Sequence, residues 1–306
     1  MQKAVRGFIL QPTYRIEAGR PVVHLWGRLE SGKTFLVRDD RLTPYFYIQA
    51  TDVERARSLG ATRLQPSDRV TFADLPVARV EIPTPPDTPP LRDRLQSAGV
   101  ACYEADVRFA MRYLINQGIR GSLTVQGSGR AGRGVDLIFD QPELEAADWT
   151  PRLSVLSIDI ETDPGARRIL SVALHGPGVE EVLLLTPEGF ASPAGAQPAG
   201  SEAELLRLFC RRLRQIDPDV ITGWNVDDFD FPVLMRRAEE LGVQLELGRG
   251  PGPVRRLPGR SRREATQVVI PGRLVLDGLR LLRGAFVRME RYSLDFVAGQ
   301  ILGEGK

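Results

Sequence analysis

Residues 153–216 constrain the fold most. Three short apolar runs, 153–161, 168–174 and 180–186, are separated only by turns, which predicts three consecutive strands. They lead into 201–216, where Leu205, Phe209, Leu213 and Ile216 recur at helical spacing behind a Ser201/Glu204 capping box. Residues 187–200 read as a loop. A turn and short buried strand at 217–223 follow. A helix is predicted over 228–242, with Pro232 in its first turn and Gly242 after its last, then a strand at 273–278 and a helix at 292–303. Three strands, helix, strand, helix, strand, helix is the order of a mixed sheet with helices on its faces, an α/β fold.

The first half reads differently. Residues 1–82 carry short strands such as VVHLWGRL, FLVRD and PYFYIQA, rich in β-branched and aromatic residues, with a short helix at 53–61. The proline-rich 83–90 is expected to be extended, 91–100 to be a helix, and the glycine-rich 127–134 to be a hairpin turn. The polar stretch 141–152 marks a boundary. The expected organisation is a mostly β domain over 1–150 and an α/β domain over 151–306, and the length of 306 residues suits two domains.

With 42% hydrophobic and 26% charged residues, the chain is neither disordered, collagen-like nor a disulfide scaffold. Its net charge is only +2, so any basic surface is local. Cys102 and Cys210 lack CxxC spacing, which argues against zinc or a disulfide framework and fits a reducing cytoplasm. No signal-peptide core and no membrane-length apolar window is present, so a cytoplasmic chain without a membrane partner is expected. His24 and His175 stand alone in strand patterns and read as structural.

In the predicted strand SIDIET, Leu156, Ile158 and Ile160 share one face, and Ser157, Asp159 and Glu161 share the other. Two residues of rise separate the carboxylates by roughly 6–7 Å, close enough for the side chains to converge. A divalent cation between them would relieve their repulsion. The plain alternative is a solvent-facing strand with ordinary surface acids. GWNVDDFDFP (223–232) brings Asn225, Asp227, Asp228 and Asp230 to a helix start. Asp230 suits an N-cap, but capping accounts for one acid, not three, and a helix N-terminus is expected to lower its pKa. Hard oxygen donors without thiols or histidines select Mg²⁺ or Mn²⁺ over Zn²⁺. Carboxylates without a protein nucleophile fit hydrolysis by metal-activated water, commonly at a phosphodiester. Residues 248–263 hold six arginines and read either as a phosphate-holding loop or as a plain flexible one.

Together, SIDIET, ITGWNVDDFDFPVL, GRLVLDGLRLL and YSLDFVAGQILGEGK resemble the 3′–5′ exonuclease domain of family B DNA polymerases, most nearly the bacterial polymerase II branch. CYEADVRFAMRYL (102–114) is similar to the segment that precedes that domain. The resemblance implies an RNase H-like exonuclease fold after a mostly β N-terminal domain, within a DNA-directed DNA polymerase. It implies a site in which Asp159, Glu161 and Asp230 are catalytic and hold two Mg²⁺ or Mn²⁺ ions. Thr162, Asn225 and Phe229 would lie near the primer 3′ end, with Phe229 packed under its helix. The arginine-rich segment falls where the family carries a β-hairpin. The implied partners are DNA, as a single-stranded primer 3′ end, the polymerase portion of such enzymes and a sliding clamp.

The family's third exonuclease motif, Tyr-x-x-x-Asp, does not occur in these 306 residues, and Tyr292 and Asp295 are one residue too close together to form it. The palm, fingers and thumb regions are likewise unmatched. The expectation is an exonuclease domain truncated before that motif, with a weakened second metal site and weak or no turnover. The competing readings are a non-catalytic DNA-binding or scaffold module with a degenerate exonuclease fold, and a stand-alone nuclease.

Overall fold

A computed structural model describes residues 4–257 and 266–303. It divides into two compact units, Met1–Pro151 and Arg152–Lys306.

The first unit runs through β1 (Val5–Glu17), β2 (Arg20–Leu29), β3 (Thr34–Asp39), β4 (Tyr45–Gln49), α1 (Val53–Ser58), β5 (Arg63–Val70) and β6 (Pro76–Glu81). It continues through α2 (Thr88–Ser97), β7 (Cys102–Tyr103), α3 (Phe109–Asn116), β8 (Ser122–Gln126), β9 (Gly129–Ala131), β10 (Leu137–Asp140) and β11 (Glu143–Ala146). One sheet has the order β11-β8-β1-β2-β3-β10-β9, the other β5-β6-β4-β7. β1 and β2 join through Ala18 and Gly19, both at positive φ, the geometry a tight two-residue hairpin demands. The larger sheet packs Val23, Leu25, Phe35, Val37, Leu123 and Val125 against Phe109 and Tyr113 of α3.

Residues 83–90 are not extended. Thr84 and Asp87 form a capping box around a 3₁₀ turn at Pro85–Asp87, and Pro89 and Pro90 then occupy the first turn of α2. Proline is tolerated there because the first-turn N–H groups have no helical partner. The glycine-rich 127–134 does lie in a hairpin, formed by β9 and β10.

The second unit begins with β12 (Val155–Thr162), β13 (Ile169–Gly176), β14 (Val179–Leu185), β15 (Ala196–Ala199) and α4 (Glu202–Ile216). It continues with β16 (Val220–Gly223), α5 (Asp230–Glu240), β17 (Arg255–Leu257), β18 (Gln267–Val269), β19 (Leu274–Asp277), α6 (Gly278–Gly284) and α7 (Leu294–Ile301). Its main sheet has the order β15-β14-β13-β12-β16-β19. β12, β13 and β14 are antiparallel, and β12, β16 and β19 run parallel. This is the mixed α/β sheet of an RNase H-like domain. β15 lies within a stretch the sequence reads as loop, and α6 has no counterpart among the expected elements.

The apolar face of β12 (Leu156, Ile158, Ile160) packs in one core with Leu205, Leu206, Phe209 and Leu213 of α4 and Phe231 and Leu234 of α5. At the start of α4, Ser201 Oγ accepts from Glu204 N–H at 3.3 Å, whereas the Glu204 carboxylate accepts from Gly200 N–H at 2.9 Å. The box therefore reaches one residue further back than its usual form. Glu202, buried, accepts from Ile169 N–H at 2.9 Å and from Arg237 Nε and Nη2 at 2.8 and 2.7 Å, which ties α4 to β13 and α5. Among the described residues no helix is long and apolar enough to cross a membrane.

Candidate active site

β16 pairs with β12 through Val220, Ile221 and Thr222 and parts from it at Gly223, which still pairs with Asp277 of β19. The exit is tight: a Cβ on Gly223 would lie 2.4 Å from the Ile158 carbonyl oxygen. Beyond that point β12 keeps β13 on one side but has lost β16 on the other, and the Ile160 N–H needs an acceptor. Asp230 supplies it, its Oδ1 accepting at 3.1 Å. The loop 224–229 thus ends with a carboxyl group placed against the middle of β12.

Asp230 is 2% exposed. It is the first residue of α5, not the N-cap, which is Phe229. Its carboxyl is pushed up to about 7, the reverse of the lowering expected at a helix start. Burial is the largest cause and the charge of Asp159 the next, both outweighing the hydrogen bond from Ile160 N–H. Asp159 and Asp230, 71 positions apart in the chain, are therefore close enough to repel.

Asp159 and Glu161 are both on the exposed face of β12, in register with Ala173 and Ser171 of β13. The ladder slips between Glu161 and Thr162, a bulge at the end of the strand that carries both acids. Thr162 is half-buried and donates through Oγ1 to the Asp163 carbonyl at 3.0 Å. Asn225 sits at φ +62, and its carbonyl accepts from Asp228 and Phe229 N–H at 3.2 and 2.9 Å. Phe229 is 40% exposed, and Phe231 occupies the core instead, so Phe229 does not pack under α5 as expected. Helical periodicity explains this, because Phe231 and Leu234 face inward together. Among the described residues no group of three or more His, Cys, Asp or Glu side chains is arranged to hold a metal ion. The structure brings Asp230 to Asp159 and leaves Glu161 on the same strand face.

The other two acids of the loop have different surroundings. Buried Asp227 is bonded to Val268 N–H and Arg280, and Asp228 is ion-paired with Arg280. Burial holds Asp227 above the ordinary carboxylate value despite Val268 and Arg280, with Asp277 and Asp228 adding to the rise. Asp277 caps α6, accepting from Arg280 N–H at 3.2 Å. Asp277 and Arg280 were not expected near the site. The readable signal was an aspartate directly before an apolar run, D-G-L-R-L-L, which is a helix start.

In the arginine-rich segment, Arg249 is buried and paired with Asp217 and Asp219, so it is not a phosphate-holding group. Arg255 and Arg256 are exposed on β17, which pairs with β18, and Arg260, Arg262 and Arg263 lie outside the described residues.

The sequence pattern of the DNA polymerase family B exonuclease domain matches residues 100–297. The chain is 31% identical to DNA polymerase II of Escherichia coli over 99% of its own length and 39% of that protein's. It is 28% identical to a DNA polymerase of Pyrococcus glycovorans, over 97% of this chain and 37% of the relative. Among solved structures, the family B DNA polymerase of Pyrobaculum calidifontis superposes with a TM-score of 0.74 at 27% identity, covering 96% of this chain and 39% of that one. The chain thus spans about two fifths of the length of the relatives it matches. On the match over residues 100–297, it belongs to the family B DNA polymerases, an enzyme family, and carries their exonuclease domain.

Proposed function

We propose that this chain is the N-terminal and exonuclease part of a DNA polymerase II-like enzyme, and that it removes nucleotides from a primer 3′ end. In this reading Asp159, Glu161 and Asp230 hold two Mg²⁺ or Mn²⁺ ions. When bound, such ions supply activation of water and stabilisation of the leaving oxygen. The observation that carries the reading is the buried Asp230 carboxyl, fixed by Ile160 N–H against Asp159. Two hard-oxygen donors that repel each other are the chemistry a divalent cation satisfies. The exposed ring of Phe229 offers a stacking surface for an unpaired base, and in this reading Asn225 and Thr162 contact the same primer end. The polymerase portion of such enzymes and a sliding clamp are further partners of this reading.

The 306-residue chain alone is expected to turn over weakly, because its sequence lacks a Tyr-x-x-x-Asp. Metal binding is therefore the decisive measurement. Mn²⁺ titrated into the full chain, followed by EPR, should bind, and Asp159→Asn or Asp230→Asn should weaken binding at least tenfold. Any shortening of a 5′-labelled single strand should require the metal and vanish in Asp159→Ala. Mn²⁺ affinity indifferent to both Asn variants would refute the assignment. The absence of a three-carboxylate cluster among the described residues favours a second reading, a non-catalytic DNA-binding module. That module would bind single-stranded DNA equally well in EDTA and never shorten it.

A further inference from the structure

We propose that Asp227 and Arg280 form a latch that positions the acid site, fastening the loop that delivers Asp230 to the β17–β18 ribbon and to α6. The functional part of this proposal rests on the cation reading of Asp159 and Asp230; the structural part does not. Asp227 is 3% exposed, and its groups reach three different segments. Its Oδ1 accepts from Val268 N–H of β18 at 2.8 Å, and its Oδ2 accepts from Arg280 Nη1 of α6 at 2.7 Å. Its own N–H donates to Asp277 Oδ2, at the end of β19, at 3.1 Å. Arg280 closes the arrangement from the other side. Its Nη1 also donates to the Thr266 carbonyl, and its Nη2 donates to Asp228 Oδ2 at 2.9 Å.

Residues 266–280 therefore converge on two consecutive loop positions just ahead of Asp230. The loop pairs with no strand and includes Asn225 in the left-handed region. Its first half is held by the tight exit at Gly223, by Trp224 Nε1 donating to the Tyr292 carbonyl at 3.2 Å and by Val226 buried in the core, and its second half by Asp227 and Asp228. A planar guanidinium suits the task, because it binds two carboxylates and a carbonyl at once, which an ammonium on a flexible stem does not reproduce. Asp227 and Arg280 bond to Val268, Asp277, Thr266, Asp228 and each other. They are positioning residues, and their effect should appear where Asp230 meets β12.

Amide exchange of the ¹⁵N-labelled full chain reads that point directly, because the Ile160 N–H is held by Asp230. In Asp227→Asn and in Arg280→Gln, Ile160 should exchange at least tenfold faster, whereas Val172 and Leu174 in the central β13 keep their rates. Arg280→Lys should restore part of the Ile160 protection. Mn²⁺ affinity should fall about fivefold in Arg280→Gln. Unchanged Ile160 exchange in both variants would overturn the latch, and so would equal acceleration at Val172 and Leu174, the sign of general destabilisation. Faster Ile160 exchange with unaltered Mn²⁺ affinity would overturn its service to the site. Mn²⁺ affinity insensitive to Asp159→Asn would instead sink the cation reading, and the Ile160 result would still judge the latch.

Discussion

At the scale of single residues, the site depends on an absent side chain as much as on the acids. Gly223 ends β16 where a Cβ would lie 2.4 Å from the Ile158 carbonyl oxygen and 2.5 Å from Val226 Cγ1. The carbonyl belongs to the central strand and cannot step aside without disturbing the β12 ladder. Gly223→Ala is therefore expected to destabilise the chain by about 1–3 kcal/mol through overpacking. Because the same glycine begins the loop that carries Asp230, the substitution should also speed amide exchange at Ile160. Urea unfolding with an unchanged midpoint would show that the loop has room the structure does not display. Asp230 teaches a related lesson. Sequence alone places an acid at a helix start and predicts stabilisation of its charge, but burial and the neighbouring Asp159 win, and the carboxyl rises to about 7. Desolvation is a property of the assembled fold, so the four letters around Asp230 could not disclose it.

At the scale of elements, the strands and helices with strong periodicity were legible. β12, β13, β14, α4 and α5 all appear where apolar spacing put them, because each must hide one face in a common core. β15 was not legible, since a four-residue strand of sequence AQPA carries no periodic signal, and α6, a seven-residue helix without a buried residue, was marked only by the Asp277 cap ahead of it. The start of α2 was misread because prolines suggest extension unless their place in a first turn is known. The site divides in the same way: the paired acids of β12 followed from strand alternation, whereas Arg280 enters from an element the sequence hardly announces. Glu202 shows how elements are then joined. Burial alone would raise its carboxyl, but Arg237 and the Ile169 N–H outweigh burial and hold it below the ordinary carboxylate range. A group with a depressed folded value adds stability above its unfolded value and loses it as pH falls through the folded one. Glu202→Gln should cost about 1.5–3 kcal/mol at neutral pH, the range for a hydrogen bond to a charged group. The difference from the parent should shrink below about pH 4.3, the ordinary carboxylate value. Denaturant unfolding of both proteins between pH 3 and 7 checks this, and a difference independent of pH would contradict the ion-pair account.

At the scale of the whole molecule, family pattern and physical unit begin at different places. The exonuclease-domain match starts at residue 100, yet β8, β10 and β11, which follow that point, are strands of the first unit's large sheet. β8 pairs with β1, and β10 pairs with β3. Leu123, Val125 and Phe139 complete the core that Val23, Leu25 and Phe35 begin. The core beneath β12, in contrast, is built only from residues after the unit boundary. A chain cut at residue 100 would keep β8 to β11 and α3 but lose β1, β2 and β3, against which β8, β10 and α3 pair and pack, exposing apolar side chains that the intact protein buries. A chain cut at residue 152 loses no partner of the mixed sheet. Residues 152–306 alone should therefore unfold in one cooperative transition with Ile160 still protected, and residues 100–306 should bind ANS and aggregate even though they contain the shorter fragment whole. If 100–306 proved the better-behaved of the two, the strands after residue 100 would belong physically with the exonuclease sheet, and the division of the chain near residue 151 would have to be abandoned.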